Sequence, residues 1–296
     1  MNKIFFFKHL RPATVESYNK AVRRLLFFYP DIRPAELTSE LILEWRSQIL
    51  NVEVKPVTWN SYVRHLKALF TFAIEQNLII IKCNPFAKLF VRAGKGKRKI
   101  FTADEINKIN SLLDDEDDDI PKILKPVWFI KALILTFQYT GIRRSQLLTL
   151  KVKNIRLRDK VIYIEGHHNK NHDDHIIPIP DVLQPYLTRL VIEIKKRGYS
   201  DEMQLFNYNL FSVCNRRKGL LTTQHQLSHL CRVISKEIGI SVSPHRFRHT
   251  IATKLMKEPE NVYIAQKLLG HRDIKVTLSY IEHDVDMIRN KINALI

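Results

Sequence analysis

The feature of this sequence most suggestive of chemistry is a cluster of cationic and imidazole side chains in SPHRFRHT, residues 243–250. A serine followed by proline is typical of the N-cap and first position of a helix, so His245 and Arg248 fall one turn apart on one face. Cations crowded into one turn repel one another and are costly to bury without partners. Because a helix N-terminus also favours anions, the pattern predicts a binding site for a phosphate group.

The overall charge indicates a polyanionic partner. Lys and Arg number 48 against 30 Asp and Glu, which gives a formal net charge of +18 over 296 residues. Such an excess favours an acidic polymer or a membrane surface, and nucleic acid is the predicted partner. A merely basic soluble enzyme is the alternative that charge alone leaves open.

The remaining composition predicts a soluble cytoplasmic protein with no membrane contact. The apolar run near the N-terminus is too short for a signal peptide, and the most apolar internal stretch is interrupted by Lys131. The three cysteines, Cys83, Cys214 and Cys231, are widely spaced, so neither a disulfide framework nor a zinc site is predicted.

The elements that must position these residues fall into two domains. Apolar residues at helical spacing predict three helices in the first ninety residues, and NPFAKLF predicts a further short helical piece. A basic, glycine-containing segment, RAGKGKRK, then reads as a linker that lies along phosphates. The predicted organisation is therefore a helical domain at 1–91, a linker at 92–99 and a second domain at 100–296.

The sequence of the second domain predicts helices around a small β-hairpin. TADE at 102–105 has the capping-box pattern, and a mostly buried helix is expected to end at Gly141. VIYIEG and HIIPIP are β-rich runs on either side of a polar tip, and the pattern is helical again from residue 181, apart from NLFSV. The predicted fold class is mainly α with a small β-sheet, in two domains.

Several short motifs occur in a fixed order along the second domain. They are TGIRRSQLLTL at 140–150, a lysine before IIPIP, PHRFRHTIAT at 244–253, LLGH at 268–271, and Tyr280. Together they resemble the tyrosine recombinase family, also called phage integrases, over residues 100–283. The resemblance implies a core-binding domain and a catalytic domain that act on double-stranded DNA without a metal or other cofactor.

The resemblance also implies roles for individual residues. Tyr280 would attack a phosphodiester and form a 3′-phosphotyrosyl link, while two arginines neutralise the transition state. The family lysine stands eight residues before the proline of the second hairpin strand, which implies Lys170 as general acid. The full implied catalytic set is Arg143, Lys170, His245, Arg248, His271 and Tyr280, with His245 assisting proton removal from the tyrosine and His271 bound to the phosphate.

One position departs from the family pattern. Three residues after its first arginine the family usually has an acid that steadies the guanidinium, whereas this chain has Gln146. A neutral amide still accepts a hydrogen bond but loses the charge-assisted part. Gln146 and His249 are therefore predicted to support the catalytic residues.

Two further groups of polar residues have side chains that could bind a ligand. The predicted DNA contacts of the linker are Lys95, Lys97, Arg98 and Lys99. The hairpin carries His167, His168, His172 and His175 beside Asp173 and Asp174. A flexible loop gives no fixed ligand geometry, so no metal site is predicted there.

The family implies assembly on DNA. A homo-tetramer is expected on paired sites, with a monomer or weak dimer in solution. The sequence of 283–296 predicts an amphipathic helix. This helix would pack either on a neighbouring protomer or on its own chain. The first helix begins near Thr14, so no additional arm-type DNA-binding domain is expected.

Two alternative functions remain open from the sequence. One is a catalytically weakened DNA-binding protein of the same fold, which Gln146 favours. The other is a type IB topoisomerase-like enzyme that nicks and closes DNA as a monomer. The target sequence, and the choice among integration, excision, inversion and resolution, are also left open.

Overall fold

A computed structural model describes residues 10–94, 96, 99–114, 120–166, 174–213, 219–281, 289 and 293. The chain divides into two compact units, Met1–Lys97 and Arg98–Ile296. This division falls inside the segment 92–99.

Within its described residues, the first unit contains three α-helices where the apolar spacing predicts them. They are α1 (Pro12–Phe28), α2 (Ser39–Ile49) and α3 (Pro56–Glu75). The expected helix in NPFAKLF is wrong, because residues 85–88 form a turn. The Asn84 side chain accepts from the Phe86 amide at 2.9 Å, a local bond that favours a turn over a helix.

Two tryptophans form the centre of the first unit. Trp45 on α2 and Trp59 on α3 are both fully buried, and their ring centroids lie 5.1 Å apart in an edge-on arrangement. The Trp59 indole donates to the Leu89 carbonyl at 2.9 Å. This bond ties the segment that follows α3 to the helical core.

The second unit contains nine α-helices and three strands within its described residues. The helices are α4 (Ala103–Leu112), α5 (Val127–Thr140), α6 (Arg144–Thr149), α7 (Gln184–Lys196), α8 (Tyr208–Phe211), α9 (Gln224–Ile238), α10 (Pro244–Leu255), α11 (Val262–Leu269) and α12 (Ile274–Leu278). The strands are β1 (Ile155–Arg156), β2 (Val161–Ile164) and β3 (His175–Pro178). The predicted fold class, mainly α with a small sheet, is confirmed.

The predicted hairpin is confirmed as the strands β2 and β3. The sheet is antiparallel in the order β1-β2-β3, with Ile164 opposite His175. Burial alternates along β3, so that His175 and Ile177 face inward while Ile176 and Pro178 face outward. The tip at 167–173 lies outside the described residues, as does nearly all of the predicted helix at 283–296.

Helix α5 forms the middle of the second core, and α7 and α10 pack against it. The capping box before α4 is confirmed, since the Thr102 hydroxyl accepts from the Glu105 amide at 3.2 Å and the Glu105 carboxylate accepts from the Thr102 amide at 2.9 Å. Arg246 on α10 donates to the same carboxylate at 2.6 Å and to the Ile100 carbonyl at 2.9 Å. The start of the unit is therefore fastened to the first turn of α10.

The expectation that NLFSV interrupts the helical pattern is wrong at its first three residues, which belong to α8. Asn207 caps this short helix by accepting from the Asn209 amide at 3.1 Å. None of the helices in the described stretches is both long and apolar enough to cross a membrane.

We expect Trp59→Phe to lower the free energy of unfolding by about 1–3 kcal/mol, because the buried Leu89 carbonyl loses its donor and a small void remains. The matched control is Val57→Ala on the same helix, where the side chain is 65% exposed. That change should stay within about 0.5 kcal/mol. Urea unfolding of the full chain followed by circular dichroism measures both, and equal losses would contradict the role given to Trp59.

Candidate active site

The site is built around a tight corner at Gly141, where α5 ends. Gly141 has a φ of +60°, in the left-handed region that glycine favours. A Cβ placed on it would lie 2.7 Å from Ile251 Cγ2 on α10 and 3.2 Å from Leu269 Cδ2 on α11. Only a glycine lets the end of α5 approach both helices this closely.

Arg143 follows this corner and occupies the N-cap position of α6. The Gln146 side chain, which is buried, accepts from the Arg143 backbone amide at 3.0 Å. The sequence suggested support of the guanidinium, whereas this contact fixes the backbone of Arg143. An amide oxygen makes such a bond as a carboxylate would, but without the negative charge.

Both predicted arginines are held by backbone carbonyls. Arg143 Nη2 donates to the Gly270 carbonyl at 3.0 Å. Arg248 donates from Nη1 to the Gly141 carbonyl at 2.8 Å and from Nη2 to the Leu269 carbonyl at 2.5 Å. The last carbonyls of a helix lack intrahelical partners and carry partial negative charge, so the end of α11 is a natural acceptor for cations.

Within the described residues, neither guanidinium forms an ion pair with a carboxylate. Burial lowers the pKa of Arg248 to about 9, and the neighbouring charge of Arg143 contributes to the decrease. Burial also lowers the pKa of Arg143. Two adjacent cations without a carboxylate create a positive potential that an anion would relieve.

Tyr280 belongs to the same site, since its ring stacks on that of His271, which follows the Gly270 carbonyl that binds Arg143. Its side chain is only 5% exposed, and His249 Nδ1 lies 3.0 Å from its hydroxyl oxygen. His245 is exposed one turn earlier on α10, with its ring stacked on that of His249 at a centroid distance of 5.9 Å. The hydrogen bond described at the tyrosine hydroxyl is thus shared with His249, and the role of His245 in proton removal stays a prediction.

His271 follows Gly270 directly and faces the same tyrosine. Its ring stacks on Tyr280 at a centroid distance of 6.1 Å, and its Nδ1 lies 2.9 Å from the Thr277 hydroxyl. Burial, together with the charges of Arg248 and Arg143, lowers the pKa of His271 to about 4. The imidazole is therefore neutral at neutral pH.

A fourth imidazole at the site was not identified as a site residue from the sequence. His175 is buried at the start of β3, with Nε2 at 2.9 Å from the Lys267 carbonyl. In the sequence it follows the histidines of the predicted hairpin tip and was grouped with them. The alternation of β3 places it in register with the buried Ile177, and this was the signal that could have separated it from the tip.

Several predicted residues lie outside the described part of the chain. Lys170 falls in the gap at 167–173, and Lys95, Lys97 and Arg98 fall in the gaps of the linker. Lys99 is described and is exposed. Across the described stretches, no group of three or more His, Cys, Asp or Glu side chains is arranged to hold a metal ion.

Comparisons with known proteins identify relatives along most of the chain. The family model described as the phage integrase family matches residues 99–287. The chain is 35% identical over 290 residues to the "Putative tyrosine recombinase XerC" of Pseudomonas syringae, and 34% identical over 300 residues to the protein of the same name in Pseudomonas aeruginosa. These alignments cover 96% and 98% of this chain, but 61% and 70% of the two relatives.

A solved structure shares the fold. The Tn1549 transposon integrase in complex with transposon right end DNA superposes with a TM-score of 0.72 at 20% identity, covering 99% of this chain and 96% of the other. At this identity the likeness establishes the fold alone.

We expect Gly141→Ala to destabilise the protein more than Gly239→Ala, which changes a glycine of similar φ at the end of α9. A Cβ at Gly239 meets no atom within 4 Å, so its variant loses only about 1–2 kcal/mol from the left-handed backbone. Gly141→Ala adds the contact with Ile251, which costs roughly 1–3 kcal/mol more. Urea unfolding of both full-length variants measures the difference, and equal losses would show that the corner at Gly141 tolerates a side chain.

Proposed function

The chain belongs to the phage integrase family, the tyrosine recombinases, and we propose that it cuts and rejoins double-stranded DNA at specific sites through a 3′-phosphotyrosyl bond to Tyr280. One observation carries the proposal: Arg143 and Arg248 are bound by the adjacent carbonyls of Gly270 and Leu269, without a carboxylate among the described residues, in the same site as Tyr280. That arrangement suits the phosphate of a nucleic acid backbone better than a neutral substrate.

The reaction begins with attack of the Tyr280 oxygen on the phosphorus of a phosphodiester. The new bond joins this oxygen to the 3′-phosphate, and the bond between phosphorus and the 5′ oxygen breaks. The proton of the tyrosine passes to a nearby base, and the leaving 5′ oxygen receives a proton from a general acid. Attack by another 5′-hydroxyl reverses the step, so rejoining conserves the phosphodiester without an external energy source.

The arginines neutralise the charge that develops on the phosphorane. A guanidinium has five N–H donors in a planar fork. The described contacts occupy one donor of Arg143 and two of Arg248. Donors therefore remain for the non-bridging oxygens while the carbonyls keep both side chains in place, and such preorganised charge is typically a large part of catalysis.

His271 acts as a neutral donor to the same phosphate. Its pKa of about 4 keeps the ring uncharged at neutral pH. When the Thr277 hydroxyl donates to Nδ1, the ring proton resides on Nε2 and is available to a phosphate oxygen. In that arrangement the Thr277 hydroxyl selects the Nε2 tautomer of His271.

His249 is the first proton acceptor for the tyrosine. Its Nδ1 already lies 3.0 Å from the hydroxyl, within the range a general base requires. His245 was predicted from the family for this step, and its exposed position on the same helix suits a contact with the incoming DNA. Variants of each histidine distinguish these two roles.

The remaining assignments extend this proposal to the whole protein. Lys170 supplies the proton to the leaving oxygen, and the helical unit forms the core-binding domain. Lys95, Lys97, Arg98 and Lys99 contact the DNA backbone between the domains. The active assembly is a homo-tetramer on paired DNA sites in the cytoplasm.

We expect Tyr280 to form a covalent adduct with DNA in the presence of EDTA. The substrate is a pool of random-sequence duplexes carrying a nick, from which the freed 5′-hydroxyl fragment diffuses away so that the adduct accumulates. Tyr280→Phe keeps the ring and removes the nucleophilic oxygen, so it should bind DNA but form no adduct. Arg143→Ala should lose adduct formation by about 10²-fold or more, as expected when a charge partner of the transition state is removed.

Arg144→Ala is the matched control for the adjacent arginine. Arg144 is exposed and donates to Ser228 and Gln224 on α9, so its loss should leave the adduct rate within a few fold. An adduct formed by Tyr280→Phe would place the nucleophile elsewhere. Cleavage that requires a divalent ion and leaves no adduct would identify a nuclease, and relaxation of supercoiled DNA by a monomer without site pairing would identify a topoisomerase.

We expect His249→Phe to lower the rate of adduct formation by about 10²–10⁴-fold, the range typical of a lost general base. His249→Asn keeps a hydrogen-bond acceptor near the Nδ1 position but does not take up the proton, so it should be equally slow. Rapid quench of single turnovers at saturating DNA measures these rates beside His245→Asn. Recovery of the rate in His249→Asn would mean that His249 only orients the tyrosine, and a loss confined to His245→Asn would return the base role to His245.

A further inference from the structure

The end of α11 presents three carbonyl groups that are each held by a different segment. Arg143, before α6, binds the Gly270 carbonyl, and Arg248, on α10, binds the Leu269 carbonyl. The third carbonyl, that of Lys267, lies 2.9 Å from His175 Nε2 on β3. We call these three carbonyls, of Lys267, Leu269 and Gly270, the α11 corner.

The contact with the corner fixes the tautomer of His175. A carbonyl oxygen only accepts, so Nε2 must carry the proton and donate it to Lys267. Nδ1 then holds a lone pair, and it is buried without a hydrogen-bond partner among the described residues. Burial, together with the charges of Arg143 and Arg248, lowers the pKa of His175 and keeps this ring neutral.

The ring also packs directly on the backbone of the corner. A Cβ placed on Gly270 would lie 3.0 Å from His175 Cε1, 3.1 Å from Nδ1 and 3.3 Å from Nε2. Gly270 has a φ of +59°, so it supplies both the left-handed turn and the space for the imidazole. A displacement of His175 would therefore move the carbonyl that holds Arg143.

His175 also begins the strand that leads out of the hairpin. Its contact with Lys267 therefore ties the first residue of β3 to the corner that orients both guanidinium groups.

We propose that His175 is a positioning residue for strand cleavage, which holds the α11 corner against β3 so that Arg143 and Arg248 bind one phosphate. This inference rests on the proposed recombinase function. His175 is buried against the corner and acts through the Gly270 and Leu269 carbonyls.

The test compares two amides that differ only in reach. In His175→Gln the amide nitrogen falls near the position of Nε2 and still donates to Lys267, whereas in His175→Asn it falls near Nδ1 and does not reach that carbonyl. We expect His175→Gln to form the covalent DNA adduct within about threefold of the parent rate, and His175→Asn to be slower by about tenfold or more, as expected when the geometry of a charge partner is disturbed. DNA affinity should change by less than about threefold in both, because the arginines keep their charge.

A matched control separates positioning from general destabilisation. Ile177→Val shortens the next inward side chain of β3, which is fully buried, without touching the corner. It should lower the melting temperature while leaving the single-turnover rate at saturating DNA within about twofold of the parent. If Ile177→Val and His175→Asn slow cleavage equally, the role of His175 is structural and the proposal is overturned.

A double-mutant cycle tests whether His175 acts through Arg143. In an Arg143→Ala background, His175→Asn should cost less than about twofold, because the side chain it positions is absent. A full additional loss in that background would overturn the proposal. Adduct formation by the parent tests the recombinase function separately, so failure of His175 to matter in an active parent would reject this inference alone.

Discussion

The central constraint of this structure is that two adjacent arginines are held by backbone carbonyls. A carboxylate would orient a guanidinium equally well, but it would also neutralise the charge that a phosphate must meet. A carbonyl gives direction and only a partial charge, so the positive potential is retained. Arg248, which is 4% exposed, therefore contributes a nearly full charge to a site with little solvent screening.

This arrangement costs folding stability that an anion restores. The pKa of Arg248, lowered to about 9, means that the folded chain holds the proton less tightly than an unfolded one, although the group stays charged at neutral pH. A bound phosphate would relieve the repulsion between the arginines and so stabilise the folded state by mass action. Tyr280 is buried in the same region, with its hydroxyl 3.0 Å from His249 Nδ1. A phosphate bound by the arginines would therefore lie close to the contacts that bury the tyrosine hydroxyl.

Sequence reasoning identified the features that depend on short-range chemistry. The capping box at Thr102, the left-handed corner at Gly141 and the N-cap at Ser243 each depend on residues within one turn, and the structure contains all three. The partners of Tyr280 and His175 could not be predicted in this way, because His249 and Lys267 are brought to them by packing of separate helices. The order of the motifs identified the family, but it did not say which histidine reaches the nucleophile.

The turns at Gly141 and Gly270, which are far apart in the sequence, act together in the folded structure. The corner at Gly141 places Arg143 and offers its own carbonyl to Arg248, while the corner at Gly270 offers its carbonyl to Arg143. The Gly141 turn thus precedes one arginine and binds the other, and the Gly270 turn binds the first, so the two guanidinium groups are linked through the same two turns. Since both turns have positive φ, a side chain at either position would strain the backbone. Strain at Gly141 would displace the carbonyl that binds Arg248, and strain at Gly270 would displace the carbonyl that binds Arg143. The glycine before Arg143 and the glycine before His271 are therefore both needed to place Arg143 and Arg248. The position in which these two arginines would hold a phosphate depends on both turns.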